Sequence, residues 1–206
     1  MMHPTIKSSL DNSIDYETYK SLMNRLVETC STTGLQQTEA LVNYTKLNAR
    51  RMKRWDKTLK VSEETKTAVT SFSQPVTWLV ITESWCGDAA HVIPVLNKLA
   101  ELNNNIKLRL VLRDENLELM DMFLTNGGRA IAKLIMIDDS TGEVVDTFGP
   151  RPSEATVLVN NYKKEHGKLT QEFKEDLQVW YNKNKGENIM DDVVNMLCKL
   201  ESAVCI

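Results

Sequence analysis

The sequence predicts an α/β protein: a mixed central sheet of about four strands with helices on both faces, plus N- and C-terminal helical extensions. Three observations carry this. VTWLVIT at 76–82 is apolar and β-branched throughout, the pattern of a strand buried on both faces beneath helices. The next segment, 87–102, sets Ala89, Val92, Leu96, Leu99 and Ala100 on one helical face, and KLRLVLR at 107–113 is again strand-like. That is a strand–helix–strand unit, whose crossover makes the two strands parallel. Finally, KLIMID (133–138) and EVVDTFG (143–149), joined by DSTG, read as an antiparallel hairpin.

The remaining elements are helical. Residues 15–30 place Tyr19, Leu22, Leu26 and Cys30 near one face, with Gly34 as the stop. A second helix covers 38–55 and a third covers 62–72. Ser62 is the N-cap of the third, and Glu63 and Glu64 suit its first turn. Pro75 ends that run, and Pro94 is expected to bend the 87–102 helix. A short helix at 115–125 stops at Asn126-Gly127-Gly128. Ser153 is read as the cap of a helix over 154–165 that ends at Gly167. Segments 169–184 and 187–203 are charged helices, the latter with a stripe of Val193, Val194, Leu197 and Leu200.

Composition narrows the function classes. Twenty-five Lys and Arg against 28 Asp and Glu leave a net charge of −3, with no global pull toward nucleic acid or anionic membrane. No apolar run is long enough to span a bilayer, and the first 13 residues lack the apolar core of a secretory signal. A cytoplasmic location is therefore expected. The four cysteines, Cys30, Cys86, Cys198 and Cys205, are scattered and form no CxxC pair. That usage fits a reducing compartment and excludes a disulfide framework or zinc ribbon. No metal or cofactor is expected, because Cys86, Asp88 and His91 lack ligand spacing and Gly127-Gly128 lacks the rest of a phosphate loop.

The chemistry-bearing stretch is Trp85-Cys86-Gly87-Asp88-Ala89, where the first strand passes into a helix. A thiol beside a helix N-terminus is favoured as thiolate by unpaired backbone N–H groups, whereas the Asp88 carboxylate disfavours a second negative charge. The net expectation is a modest lowering of the Cys86 pKa at an exposed site. Gly87 allows close approach.

WCGDAAHVIPVLNKLA resembles the active-site helix of the thioredoxin family, usually WCGPC with a proline eight residues past the first cysteine, here Pro94. GGRAIAKLIMIDDSTGEVVDTFG (127–149) resembles that family's cis-proline loop and final hairpin, with Gly142, Glu143 and Gly149 in place. The resemblance covers about 63–165. It implies a thioredoxin-like domain at 61–166, a helical extension at 1–60, and another at 167–206 packed on the same core. Three positions depart from the pattern. The second cysteine is Ala89, the cis-proline is Ala132, and the buried acid six residues before the first cysteine is Val80. Without proline, the Ile131–Ala132 bond is expected to be trans.

The resemblance implies thiol–disulfide chemistry by Cys86 alone, on a protein or small-thiol partner, with Trp85, Gly87, Asp88, Ile131 and Ala132 shaping the approach. The alternative is a redox-inactive interaction module. A thiol peroxidase or transferase ranks last, because no Thr or Ser motif surrounds the cysteine. Cys205 is a candidate to resolve a mixed disulfide, or a stray terminal thiol. Cys198 is expected in the core and His91 on the surface. Trp180 and Tyr181 read as packing residues. NARRMKRW (48–55) reads as a solvated basic face, with an anion or acidic-partner patch as the alternative. The oligomeric state is not encoded in any of these features.

Overall fold

The computed structural model describes residues 2–201. Its sheet has the order β2-β1-β3-β4. Strand β1 (Val76–Thr82) is central and all seven of its residues are buried, as its unbroken apolar pattern requires. On one side it pairs in parallel with β2 (Ile106–Leu112), Val76 opposite Ile106. On the other it pairs antiparallel with β3 (Lys133–Asp138), which returns as the hairpin strand β4 (Val144–Phe148).

Ahead of the sheet come α1 (Pro4–Asp11), α2 (Tyr16–Glu28), α3 (Glu39–Thr58) and α4 (Glu63–Ser71). The sequence reading missed α1, a single polar stretch of two turns. Between α1 and α2, Ile14 exchanges both backbone hydrogen bonds with Leu110 and so covers the outer edge of β2. Helix α2 ends at Glu28, well before Gly34. Cys30 lies past the helix end in a left-handed conformation (φ 49°) and is exposed, not on the apolar face.

Helix α5 (Ala89–Ala100) links β1 to β2 and is buried nearly all round, because α3 and the later α9 (Glu187–Leu200) pack on it from outside. Pro94 stands inside α5. A 3-10 turn (Arg113–Glu115) and α6 (Leu117–Met122) lead to β3. After the hairpin come α7 (Ser153–His166) and α8 (Gln171–Asn184). One hydrophobic core runs from Ile6 in α1 to Leu197 in α9.

Asp15, Thr38, Ser62 and Thr170 each accept a backbone N–H as helix N-caps. Ser153 does not cap α7. It is the first helical residue, and its N–H and hydroxyl both donate to Asp192 of α9 (2.6 and 2.8 Å), while the Glu154 N–H donates to Asn188 (2.9 Å). A neighbouring helix supplies the cap that local sequence appeared to hold.

Among the described residues two peptide bonds are cis, Gly149–Pro150 and Ile131–Ala132. The second corrects the expectation of a trans bond. Ala132 is buried there, and the chain at Gly149 passes close to its carbonyl. Gly149 has φ 109°, and an added Cβ would fall 2.2 Å from the Ala132 carbonyl oxygen. Gly149→Ala is therefore expected to lower stability by roughly 2–4 kcal/mol, measured by urea denaturation. A loss below the error of that measurement would contradict the contact.

Candidate functional site

The segment after β1 is gripped by the N-terminal extension. The Ser84 hydroxyl lies 2.8–3.1 Å from those of Thr32, Thr33 and Thr45, and Asn48 of α3 donates to the Ser84 carbonyl (2.9 Å). Just before it, Glu83 is fully buried. One carboxyl oxygen accepts the Asp114 N–H (2.9 Å) and the other has no partner. Burial raises the Glu83 pKa. A buried acid thus stands three residues before Cys86, while Val80, at the family's acid position, is apolar and buried. Nothing in the local pattern singled out Glu83.

Cys86 is 7% exposed, which corrects the expectation of an exposed thiol. Its Sγ donates to the Ile131 carbonyl (3.2 Å) and accepts the Ala89 N–H (3.4 Å). The expected lowering of its pKa is reversed. Burial, with the Asp88 carboxylate adding to it, pushes the thiol up to about 12, against smaller opposing effects of the Ala89 and Asp88 N–H groups and Arg151. The helix-end donors are present, but the wall of side chains costs the thiolate more than they return. Ala89, where a resolving cysteine would stand, is buried beside it.

Asp88 is a buried carboxylate that bonds the Arg151 guanidinium (2.8 Å) and the Tyr181 hydroxyl of α8 (3.0 Å). Burial raises its pKa and Arg151 opposes that rise. His91, expected on the surface, is fully buried. It accepts the Trp55 indole N–H on Nδ1 (2.9 Å), stacks on Tyr181 at 4.3 Å and 2°, and lies 2.7 Å from Gln178 Oε1 through Nε2. Because Nδ1 accepts, Nε2 carries the proton and donates to Gln178. Burial pushes its pKa down to about 3; the Gln178 bond opposes this, and Arg51 and Arg54 reinforce it. The surface expectation came from reading α5 without α3 and α8, which cover it.

Cys86 lines a groove of about 610 Å³ whose walls come from α3, α8 and the loop before β3. Trp85, Gly87, Asp88 and Ile131 line it with Cys86. Ala132 is 1% exposed and stands behind Ile131 rather than in the groove. Trp85 is half-buried, with the Arg113 guanidinium 4.8 Å over its ring. Arg51, Arg151 and Gln178 were not named as site residues from sequence, because each reaches the groove from a distant element. Cys198 is half-buried instead of lying in the core, Trp180 and Tyr181 pack as expected, and Cys205 lies outside the described residues. Among the described residues no three His, Cys, Asp or Glu side chains gather as a metal site, and no helix is long and apolar enough to cross a membrane.

A four-stranded mixed sheet flanked by helices, with Trp85-Cys86-Gly87 at a strand-to-helix turn facing a loop that closes with a cis bond, defines a thioredoxin-fold protein. The sequence model of a family described as thioredoxin matches residues 34–165, and the chain belongs to that family. The match begins ahead of α3, earlier than the 63–165 resemblance. Among solved structures the chain is similar to a protein of unknown function from Pseudomonas aeruginosa, at 15% identity and a TM-score of 0.61, covering 94% of this chain and 95% of that one. It is also similar to an HIV epitope-scaffold, at 15% identity and a TM-score of 0.63, covering 93% and 96%. At such identity the likeness is one of fold. No curated protein shows significant sequence similarity to it.

Two predictions rest on this geometry. Between pH 6.5 and about 3 the unfolded chain takes up a proton that folded His91 refuses. The contribution is present above pH 6.5 and lost as pH falls toward 3, at most about 5 kcal/mol. Denaturation at pH 7, 5 and 4 should show a shallower acid loss in His91→Gln than in the parent; equal slopes would contradict a neutral buried imidazole. Asp88→Asn removes a charge from both Arg151 and Cys86. It should cost roughly 3 kcal/mol and, in the same variant, speed alkylation of Cys86 at fixed pH, read by mass spectrometry.

Proposed function

We propose that this chain is a binding member of the thioredoxin family that holds a protein partner non-covalently in the Cys86 groove. The observation that carries this reading is the state of the sulfur: it is buried in the groove floor, donates to the Ile131 carbonyl, and has alanine at the position of the second cysteine. With burial pushing its pKa up to about 12, the sulfur is held as the thiol at pH 7. Attack on a disulfide needs the thiolate. In this reading Cys86 is a packing residue and hydrogen-bond donor that fixes the loop at Ile131, and the groove walls make the contacts.

A second reading is monothiol exchange on a protein or small-thiol disulfide, favoured by the Ala89 N–H on Sγ and the place of Cys86 in the groove. There the Cys86 thiolate would bond to one sulfur of the disulfide, and the other sulfur would leave and take up a proton. An outside thiol would then be required to release the product.

Alkylation separates the two. In a Cys30→Ser background, the rate that disappears on adding Cys86→Ser belongs to Cys86. Expected is slow labelling below pH 8 with no ionisation midpoint below 9. A midpoint under about 7.5, as activated thiols show, would overturn the binding reading and establish the exchange reading.

A further inference from the structure

Two donors lie side by side over Gly87 on the groove wall. An atom at the position of the missing Gly87 Cβ would be 3.6 Å from Arg51 Nη1 and 3.8 Å from Gln178 Nε2. The Gln178 amide is oriented by a buried relay: Trp55 Nε1–H donates to His91 Nδ1, and His91 Nε2–H donates to Gln178 Oε1. Its carbonyl is thereby occupied and its NH₂ remains for a ligand. Arg51 is half-buried and donates to Asn48 Oδ1 (2.9 Å), with no ion pair to any described carboxylate. Asp88 acts on it from a distance and is itself paired with Arg151; a half-buried guanidinium without a direct ion pair is costly, and an incoming anion offsets that desolvation.

The surrounding charge points the same way. Arg113, Arg129, Lys163 and Lys174 line the groove further out. Arg113 and Arg129 are partly neutralised by Asp114 and Asp121. Of the two groove acids, Asp88 is paired with Arg151 and Tyr181, while Glu175 accepts only from the neutral Gln171 amide and keeps its charge against these cations. Apolar surface accompanies the cations, since Tyr44 and Leu47 on the α3 wall are 36% and 40% exposed. Cations spread along a groove with apolar side chains between them suit an extended chain better than a compact anion.

We propose that Arg51 and Gln178 form a carboxylate-binding subsite over Gly87, and that its ligand is an acidic peptide segment. One Asp or Glu side chain enters between Arg51 and Gln178, and apolar neighbours lie on Tyr44 and Leu47. This rests on the groove being a non-covalent binding site and names what it selects.

The test is an array of cysteine-free random decapeptides probed with the full chain and with Arg51→Gln, Arg51→Lys and Gln178→Leu, each checked for folding by circular dichroism. Expected is enrichment of Asp and Glu among bound peptides, weakened by salt. Affinity should fall roughly 10- to 100-fold in Arg51→Gln and Gln178→Leu, with partial retention in Arg51→Lys. Binding without acidic preference, or a preference unchanged in the variants, overturns the subsite and leaves the groove reading standing. Free glutarate binding as tightly as the best peptide overturns the peptide assignment. Because the peptides carry no thiol or disulfide, an activated Cys86 would defeat the binding reading without altering this result.

Discussion

A single buried carboxylate ties the site together. Asp88 belongs to the turn that carries Trp85 and Cys86, yet its partners come from far along the chain: Arg151, just past the cis Gly149–Pro150 bond, and Tyr181 on α8. Taking a carboxylate out of water costs several kcal/mol unless it is paired and hydrogen-bonded. The Arg151 guanidinium and the Tyr181 hydroxyl offset that cost together, which fixes where the post-hairpin loop and the C-terminal helices sit against α5. Burial holds the neighbouring thiol protonated, and the carboxylate that secures this junction adds to that effect. Fold and thiol chemistry are coupled through one charge.

The helices outside the sheet unit alter what this fold can do. The face of α5 that carries His91 is closed by Trp55 from α3 and by Gln178 and Tyr181 from α8. Closure excludes water from His91 and from Cys86, so the imidazole stays neutral and the sulfur stays a thiol. The same two helices rise beyond the floor as walls and bring Arg51 and Gln178 to the rim of Gly87. A turn associated with sulfur chemistry thereby forms the floor of a groove whose walls are side chains on other elements.

The Ser84 cluster shows how deeply the N-terminal part is built in. Three threonine hydroxyls from residues 32, 33 and 45 and the Asn48 amide converge on one residue of the turn. Buried polar groups of this kind are tolerated when each finds a partner. The family match from residue 34 agrees with this arrangement, since it takes in α3 together with the sheet.

What the sequence determined by itself was local. Apolar runs, helical spacing and cap residues encode backbone conformation over a few turns, so VTWLVIT, the 87–102 helix, the hairpin and most helix ends were legible, as was the loss of the second cysteine at Ala89. Tertiary structure decided everything that depends on burial. Cys86 and His91 look exposed on their own elements and are enclosed by segments dozens of residues away. Ser153 looked like a cap and is capped instead from α9. The Ile131–Ala132 bond is cis where its sequence led to the expectation of trans. Desolvation, ion pairing and cavity shape depend on which distant surfaces meet, and no window of neighbouring residues contains that information.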